Sequence, residues 1–359
     1  MKRFLFLLAG VSLLCGSAPA ADIEFSGLID VGFIHNTNDP RKVDNVGAFA
    51  GNKVFGLTNQ DDTFQIATAQ LNAHIEADPV GFDLKLSFFN QALIADDDAL
   101  NASNSGTDDI SAEEAYLTWN TDVGNGLTIQ AGRMATLLGW EVNESSGNNH
   151  MTHGLLWHLV PITHVGVRAT YSVADNLDAV LGINNGADED VDSNHGKSIE
   201  GMVTYSVSES WTNSIQLNLG AEGANERDKT FAVNAWSSYD LSEETSAYLE
   251  FTYTSIENPT NTEDFNFWGI GLGAIHWLTD KYGLSGRFEY VDDGDRGTAL
   301  AGQYNWDITI TGHCKVTEDI TLRLEYRHDA SNQQGFNGDG GANTEDDQNA
   351  IGVQLLYSF

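Results

Sequence analysis

NAIGVQLLYSF, residues 349–359, alternates Ile351, Val353, Leu355, Tyr357 and Phe359 against Ala350, Gly352, Gln354, Leu356 and Ser358. Alternation with period two over about ten residues marks a strand with one apolar and one more polar face. An amphipathic edge strand of a soluble sheet carries the same pattern. The rest of the chain has to decide which solvent the apolar face meets.

Residues 1–20, MKRFLFLLAGVSLLCGSAPA, have a basic start (Lys2, Arg3), an apolar stretch from Phe4 to Leu14, and the small residues Ala18, Pro19 and Ala20 before Ala21. This predicts a secretory signal peptide cut after Ala20 and an exported domain over 21–359. Cys15 follows Leu14, where a lipoprotein signal needs a small residue, so it leaves with the signal. Cys314 is then the remaining cysteine, and one thiol makes no internal disulfide.

Beyond the signal no apolar run reaches the roughly 18 residues of a membrane helix, so the chain either is soluble or crosses a membrane as strands. Thirty-six glycines and five prolines suit many strands and tight turns. Acids outnumber bases 52 to 17, and a formal charge of -35 argues against a nucleic-acid partner.

Strand patterns fall at 22–36, 63–78, 80–92, 112–121, 126–138, 162–173, 176–186, 196–208, 210–222, 228–240, 243–256, 264–278, 281–293, 301–315, 319–330 and 348–359, sixteen in all. Even-numbered strands are followed by tight links: Asp78-Pro79, 122–125, Ala174-Asp175, Leu241-Ser242 and Thr279-Asp280. Odd-numbered strands are followed by longer polar loops, the most elaborate at 37–62, 93–111, 139–161 and 331–347. Short turns at one end and long loops at the other are expected of an all-β transmembrane antiparallel barrel, with periplasmic turns and extracellular loops.

The faces agree. In 319–330, Thr321, Arg323, Glu325, Arg327 and Asp329 oppose Ile320, Leu322, Leu324 and Tyr326. In a sixteen-stranded closure the polar face must line the lumen, because the interior is too wide for apolar side chains to fill. Three strands blur the alternation: Arg133 shares parity with Leu127 and Ile129, the pattern slips at Gln70, and FNFWGIGLGAIHW is apolar on both faces. Register slips or bulges are the first explanation. Tyr171, Tyr239, Trp277 and Tyr357, with Phe82 and Tyr282, fall near one rim as an aromatic girdle.

The segment from Arg133 to Ser198, with Gly132 and Gly139, the strand Pro161 to Arg168, and Asn185, Gly186, Asn194 and Lys197, resembles the β-barrel porin-2 (OmpL-like) family. Ala187 stands where that family often has Trp. The resemblance implies an outer-membrane porin, that is, a passive channel for small hydrophilic solutes with no enzyme activity and no cofactor. It names no solute.

The polar face supplies pore-lining candidates: Asp83, Lys85, Glu114, Arg168, Glu250, Arg287, Glu289, Asp307, Arg323, Glu325, Arg327 and Asp329. Acids and bases on opposed walls would set up a transverse field, and the acidic excess predicts a weak cation preference. Glu325 and Asp329 beside Arg323 and Arg327 could equally neutralise them. The loop 139–161 carries Trp140, Leu155, Leu156, Trp157, Leu159 and Val160, an apolar content that predicts packing into the lumen as a constriction. Trp140, His150, His153, Trp157 and His158 are its candidate residues. Packing on another loop or subunit is the alternative.

A metal site at His150 and His153 lacks further ligands at suitable spacing. The acidic stretches 96–98, 188–192 and 345–347 do not follow the twelve-residue calcium-loop pattern and read as solvated loops. Tyr357 and Phe359 resemble a C-terminal signal for the outer-membrane assembly machinery. Expected partners are therefore that machinery, outer-membrane lipid and lipopolysaccharide, and hydrophilic solutes, with a homo-oligomer by analogy to general porins. A barrel sheathing a cytochrome, an outer-membrane enzyme and an adhesin are the competing readings. No Gly-x-Ser-x-Gly or Cys-x-x-Cys-His occurs to favour a hydrolase or a haem site on this chain.

Overall fold

The computed structural model describes residues 22–38, 62–88, 110–192, 194–221, 229–257, 264–294, 304–338 and 341–359. The signal peptide, most of the loops 37–62 and 93–111, and the acidic stretch 96–98 lie outside them. Along the chain run β1 (Ile23–Asn36), β2 (Thr63–Ile75), β3 (Val80–Phe88), β4 (Ile110–Thr121), β5 (Leu127–Ala135), β6 (Thr163–Ala174), β7 (Leu177–Asn184), β8 (Ser198–Ser208) and β9 (Trp211–Ala221). They continue with β10 (Lys229–Ser242), β11 (Thr245–Ile256), β12 (Phe265–Trp277), β13 (Tyr282–Asp292), β14 (Tyr304–Lys315), β15 (Ile320–Ser331), β16 (Phe336–Gly338), β17 (Gly341–Glu345) and β18 (Asp347–Ser358).

Sixteen of these close one antiparallel barrel, while β16 and β17 form a small hairpin in the last long connection. Closure is made by the stretch at 349–359: β18 pairs with β15 on one side and with β1 on the other, from Leu28↔Ser358 to Asn36↔Ala350. Gly27 and Phe359 exchange backbone hydrogen bonds of 3.1 and 3.0 Å. From Ala350 to Tyr357 this strand is paired on both sides, so no edge is left there. Short links at 76–79, 122–126, 175–176, 209–210, 243–244, 278–281 and 316–319 share one end.

The barrel is apolar outside and polar inside. Leu249, Phe251, Ile270, Leu272, Leu322, Leu324, Val353 and Leu355 are exposed on the outer face, whereas Asp307, Thr309, Thr311, Glu325, Arg327 and Gln354 are buried on the inner one. Each Leu- or Phe-sized side chain left in water forfeits about 2 kcal/mol. Dozens of them around one belt make hydrocarbon the matching solvent. Aromatic rings gather at both margins of the belt. Trp211 packs edge-on with Tyr239 near the short-turn rim, and Trp268, Tyr290 and Tyr304 follow one another at 5.7 and 6.4 Å near the other.

Of the three blurred strands, one contains a bulge. The β1–β2 register shifts between Asp30 and Val31, inserting Ala67, so that Phe64 and Ile66 face outward before it and Leu71 after it. β5 and β12 pair without a shift. Arg133 instead stands near the long-loop end of β5, where its guanidinium donates to both carboxylate oxygens of Asp190 at 2.9 Å. The inner face of β12 carries Gly269, Gly271 and Gly273, and its apolar character has a different cause, given below. Trp277, placed by sequence in the girdle, lies on the inner side: its ring is 5.9 Å from His313 and 4.0 Å from Lys315 Nζ.

Candidate functional site

Between β5 and β6 the chain does not stay at the rim. Gly139, at φ +98, takes a left-handed conformation that turns the segment inward, and short 3-10 turns follow at Ser145–Gly147 and Leu156–Leu159. Asn148 holds the first lap together by bonding Val142 N, Val142 O and Glu144 O.

The segment then engages the wall from many strands. Trp140 stacks on Tyr248 of β11 at 4.7 Å, meets Trp236 of β10 edge-on, and donates its backbone N–H to Glu250 Oε1 at 3.0 Å. Glu144 pairs with Lys85 of β3 at 2.9 Å, and Ser145 Oγ donates to Asp30 of β1 at 2.5 Å. On β15, Arg323 donates to the carbonyls of Ser145, Asn148 and His150 at 2.7 to 3.2 Å. Glu325 there accepts from Met151 N and from the N–H and hydroxyl of Thr152. Arg327 donates to His153 O at 2.5 Å. On β13, Arg287 holds Glu141 at 2.6 Å and Thr152 O at 2.9 Å, while Glu289 accepts from Leu156 N.

Apolar contacts complete the docking. Leu155, Leu156 and Leu159 bury against Val291 and Phe267. A Cβ on Gly269 or Gly271 would run into the Leu156 methyls, and one on Gly273 would meet the Tyr248 ring. The bare inner face of β12 is therefore a seat for the inserted segment. Met151 buries with Ile34, Ala67 and Ala350 on the opposite side.

The sequence-predicted side chains divide accordingly. Lys85, Glu250, Arg287, Glu289, Arg323, Glu325 and Arg327 touch the inserted segment. Asp307 lies 3.5 Å from Arg287 and 4.0 Å from Arg327, and Asp329 pairs with Arg327 at 2.7 Å. Arg168 pairs with Glu200, Glu114 with Lys85, and Asp83 with His74. In the segment, His150 Nδ1 lies 2.8 Å from Thr311 Oγ1, and His153 stacks on Trp157 at 4.1 Å with His158 edge-on to that ring. Burial holds His150, His153 and His158 below the ordinary imidazole range, and for His150 the neighbouring Arg287, His313, Arg323 and Arg327 push the same way. Among the described residues no group of three or more His, Cys, Asp or Glu is placed to hold a metal ion.

A segment thus enters the lumen between the fifth and sixth strands of a sixteen-stranded inverted barrel. A family profile described as "Putative beta-barrel porin-2, OmpL-like" matches residues 22–359. The chain belongs to this family. No curated protein matches it significantly in sequence. Among solved structures, the chain is similar to the outer membrane channel DcaP of Acinetobacter baumannii, with a TM-score of 0.64 at 15% identity over 96% of this chain and 100% of the other. It is similar to OmpT of Vibrio cholerae (TM-score 0.62, 13% identity, 96% and 99% covered) and to OprB of Pseudomonas putida (0.56, 12%, 94% and 94%). These likenesses establish the fold.

Several residues of the site are not singled out by the sequence pattern. Asp30 binds Ser145 and Gln354, Glu113 is turned inward by a β4 bulge to meet Gln70, and Glu141, Glu144 and Glu200 are the counter-ions of Arg287, Lys85 and Arg168. Asp30 shares parity with Glu24, Ser26, Gly32 and Asn36, opposite Ile23, Phe25, Ile29, Val31 and Phe33, a signal that could have found it. Glu113 could not be read that way, since a bulge breaks parity.

Proposed function

We propose that this protein is a passive diffusion channel of the bacterial outer membrane, with 139–161 as its constriction and the inner charges as the frame that holds it. The observation that carries this reading is the docking itself: one segment is bonded to β1, β3, β11, β13, β14 and β15, which narrows the lumen. A cytochrome sheath needs that lumen for its guest, so the inserted segment counts against the competing reading. Residues 1–20 act as the export signal, the short turns face the periplasm, and lipid and lipopolysaccharide contact the outer belt. OmpT of Vibrio cholerae has been solved in a trimer form, and an oligomer of this chain is proposed on that likeness.

Acids exceed bases by 35, so the pore mouths favour cations weakly. Single-channel recording of the purified, reconstituted protein tests the channel, and the reversal potential across a salt gradient tests the preference. Discrete conductance steps with a small cation-selective potential are expected; the absence of steps would refute the channel, and an anionic potential would refute the preference. Tyr357 and Phe359, whose rings lie 5.9 Å apart, act in assembly. Deleting Phe359 is expected to lower the amount of inserted barrel while leaving the conductance of what inserts unchanged. Normal insertion would overturn that role.

A further inference from the structure

The open wall of the lumen differs chemically from the covered one. Along β4–β9, in the half nearer the short turns, the inner positions include Thr118 and Asn120, Thr128 and Gln130, Thr170 and Ser172, Thr204 and Ser206, and Thr212 and Ser214, with Tyr116 and Val180 among them as the aromatic and apolar members. Thr118, Thr128, Gln130, Thr170, Thr204, Ser206 and Thr212 are half-buried, whereas the inner positions of β14 such as Thr309 and Thr311 are fully covered. The hydroxyls come in pairs: Thr204 Oγ1 lies 3.0 Å from Ser214 Oγ, and Ser206 Oγ 3.4 Å from Thr212 Oγ1. Thr128 donates to Asn120 Oδ1 at 3.0 Å. Asp178 interrupts the row and accepts from Ser172 Oγ at 2.6 Å. Above it, the Arg168 guanidinium is taken up by Glu200.

We infer that this wall makes the channel favour small neutral polyhydroxylated solutes, sugars and sugar alcohols, over charged solutes of the same size; the inference rests on the channel reading above. A hydroxyl both donates and accepts, so paired Ser and Thr oxygens about 3 Å apart can replace the water around adjacent hydroxyls of a polyol one for one. That exchange is nearly neutral in free energy. A solute ion receives no such replacement here, because the arginines and most of the acids of the lumen are already engaged with each other or with the inserted segment. It keeps its desolvation cost in the narrow section. Half-buried Trp236, on the inner face of β10 beside this wall, adds an aromatic surface of the kind that suits the C–H face of a sugar ring.

Proteoliposome swelling with the full-length mature protein tests this, using sorbitol and glucose against gluconate and glucosamine of matched size. The neutral solutes are expected to enter about threefold faster, the difference that one net hydrogen bond supports. Equal rates, or faster entry of either charged solute, would overturn the inference. A second arm uses Thr128→Asp with Thr204→Asp, checked for folding by heat-modifiable gel mobility. Glucosamine should then overtake glucose, and unchanged ratios in the folded double variant would also overturn it. If no solute causes swelling and no current steps occur, the channel reading fails instead, so the two failures are distinguishable.

Discussion

The arc β11–β15 and the arc β4–β9 face the same lumen with opposite chemistry. The first carries Glu250, Arg287, Glu289, Asp307, Arg323, Glu325 and Arg327, all buried beneath or beside the inserted segment. The second carries mostly hydroxyls and carboxamides, many of them half-buried. Charge density in the lumen is therefore a poor guide to what a solute meets. The strongest charges are spent on holding backbone: carboxylates accept the segment's N–H groups, and guanidiniums donate to its carbonyls. A loop segment that leaves water needs every such group paired, and charged partners make the stronger bonds.

Removing 145–156 is the most severe way to break this contrast. The barrel ladder does not use those residues, so the variant should still insert, and the charged arc would become open to water. Single-channel conductance is expected to rise about twofold or more, and the swelling preference for neutral solutes to disappear. Unchanged conductance would mean that the segment does not set the cross-section.

Arg323→Ala is the next largest perturbation. It removes donors to Ser145 O, Asn148 O, His150 O and Gln354 Oε1 together. The docked state should lose about 2 to 4 kcal/mol, because a buried charged hub is removed and its acceptors are left unpaired. Open-channel current should then show excursions to a higher level. A quiet, wild-type trace would show that the apolar seat on β12 suffices.

A pH titration gives the smallest effect. His150, His153 and His158 dock neutral because burial lowers them from the ordinary value of 6.5. The undocked segment binds more protons below that value, so docking is strongest above about pH 6.5 and weakens as pH falls through it. His150 faces Arg287, His313, Arg323 and Arg327, with Glu325 Oε2 at 3.8 Å as the opposing charge. Current noise should grow modestly on acidification, and His150→Gln should flatten that dependence.

Much of the fold was legible because it depends on local alternation. The sixteen strand patterns correspond to the sixteen barrel strands, and the slip at Gln70 pointed to a bulge three residues away, at Ala67. The same reasoning failed for β12, where an apolar inner face answers to Leu156, more than a hundred residues earlier in the chain. It failed for Trp277 as well, since parity in a strand of Gly and aromatic residues does not say which side is wet. The apolar load of 139–161 predicted packing into the lumen, but not which wall residues would receive it. Its partners, such as Arg323 for Asn148, are separated by 175 residues. No period in the sequence reports such a pairing.

The three glycines of β12 have a consequence for how the barrel comes together. A slip of one residue in that strand would turn Ile270 and Leu272 into the lumen and the glycines toward lipid. The hollow that receives Leu156 would vanish, although the backbone ladder could still close. The inserted segment thus rejects any slip of this strand by an odd number of residues. Once seated, it works as a gauge of correct strand alignment, checking from inside a closure that hydrogen bonds between strands cannot check for themselves.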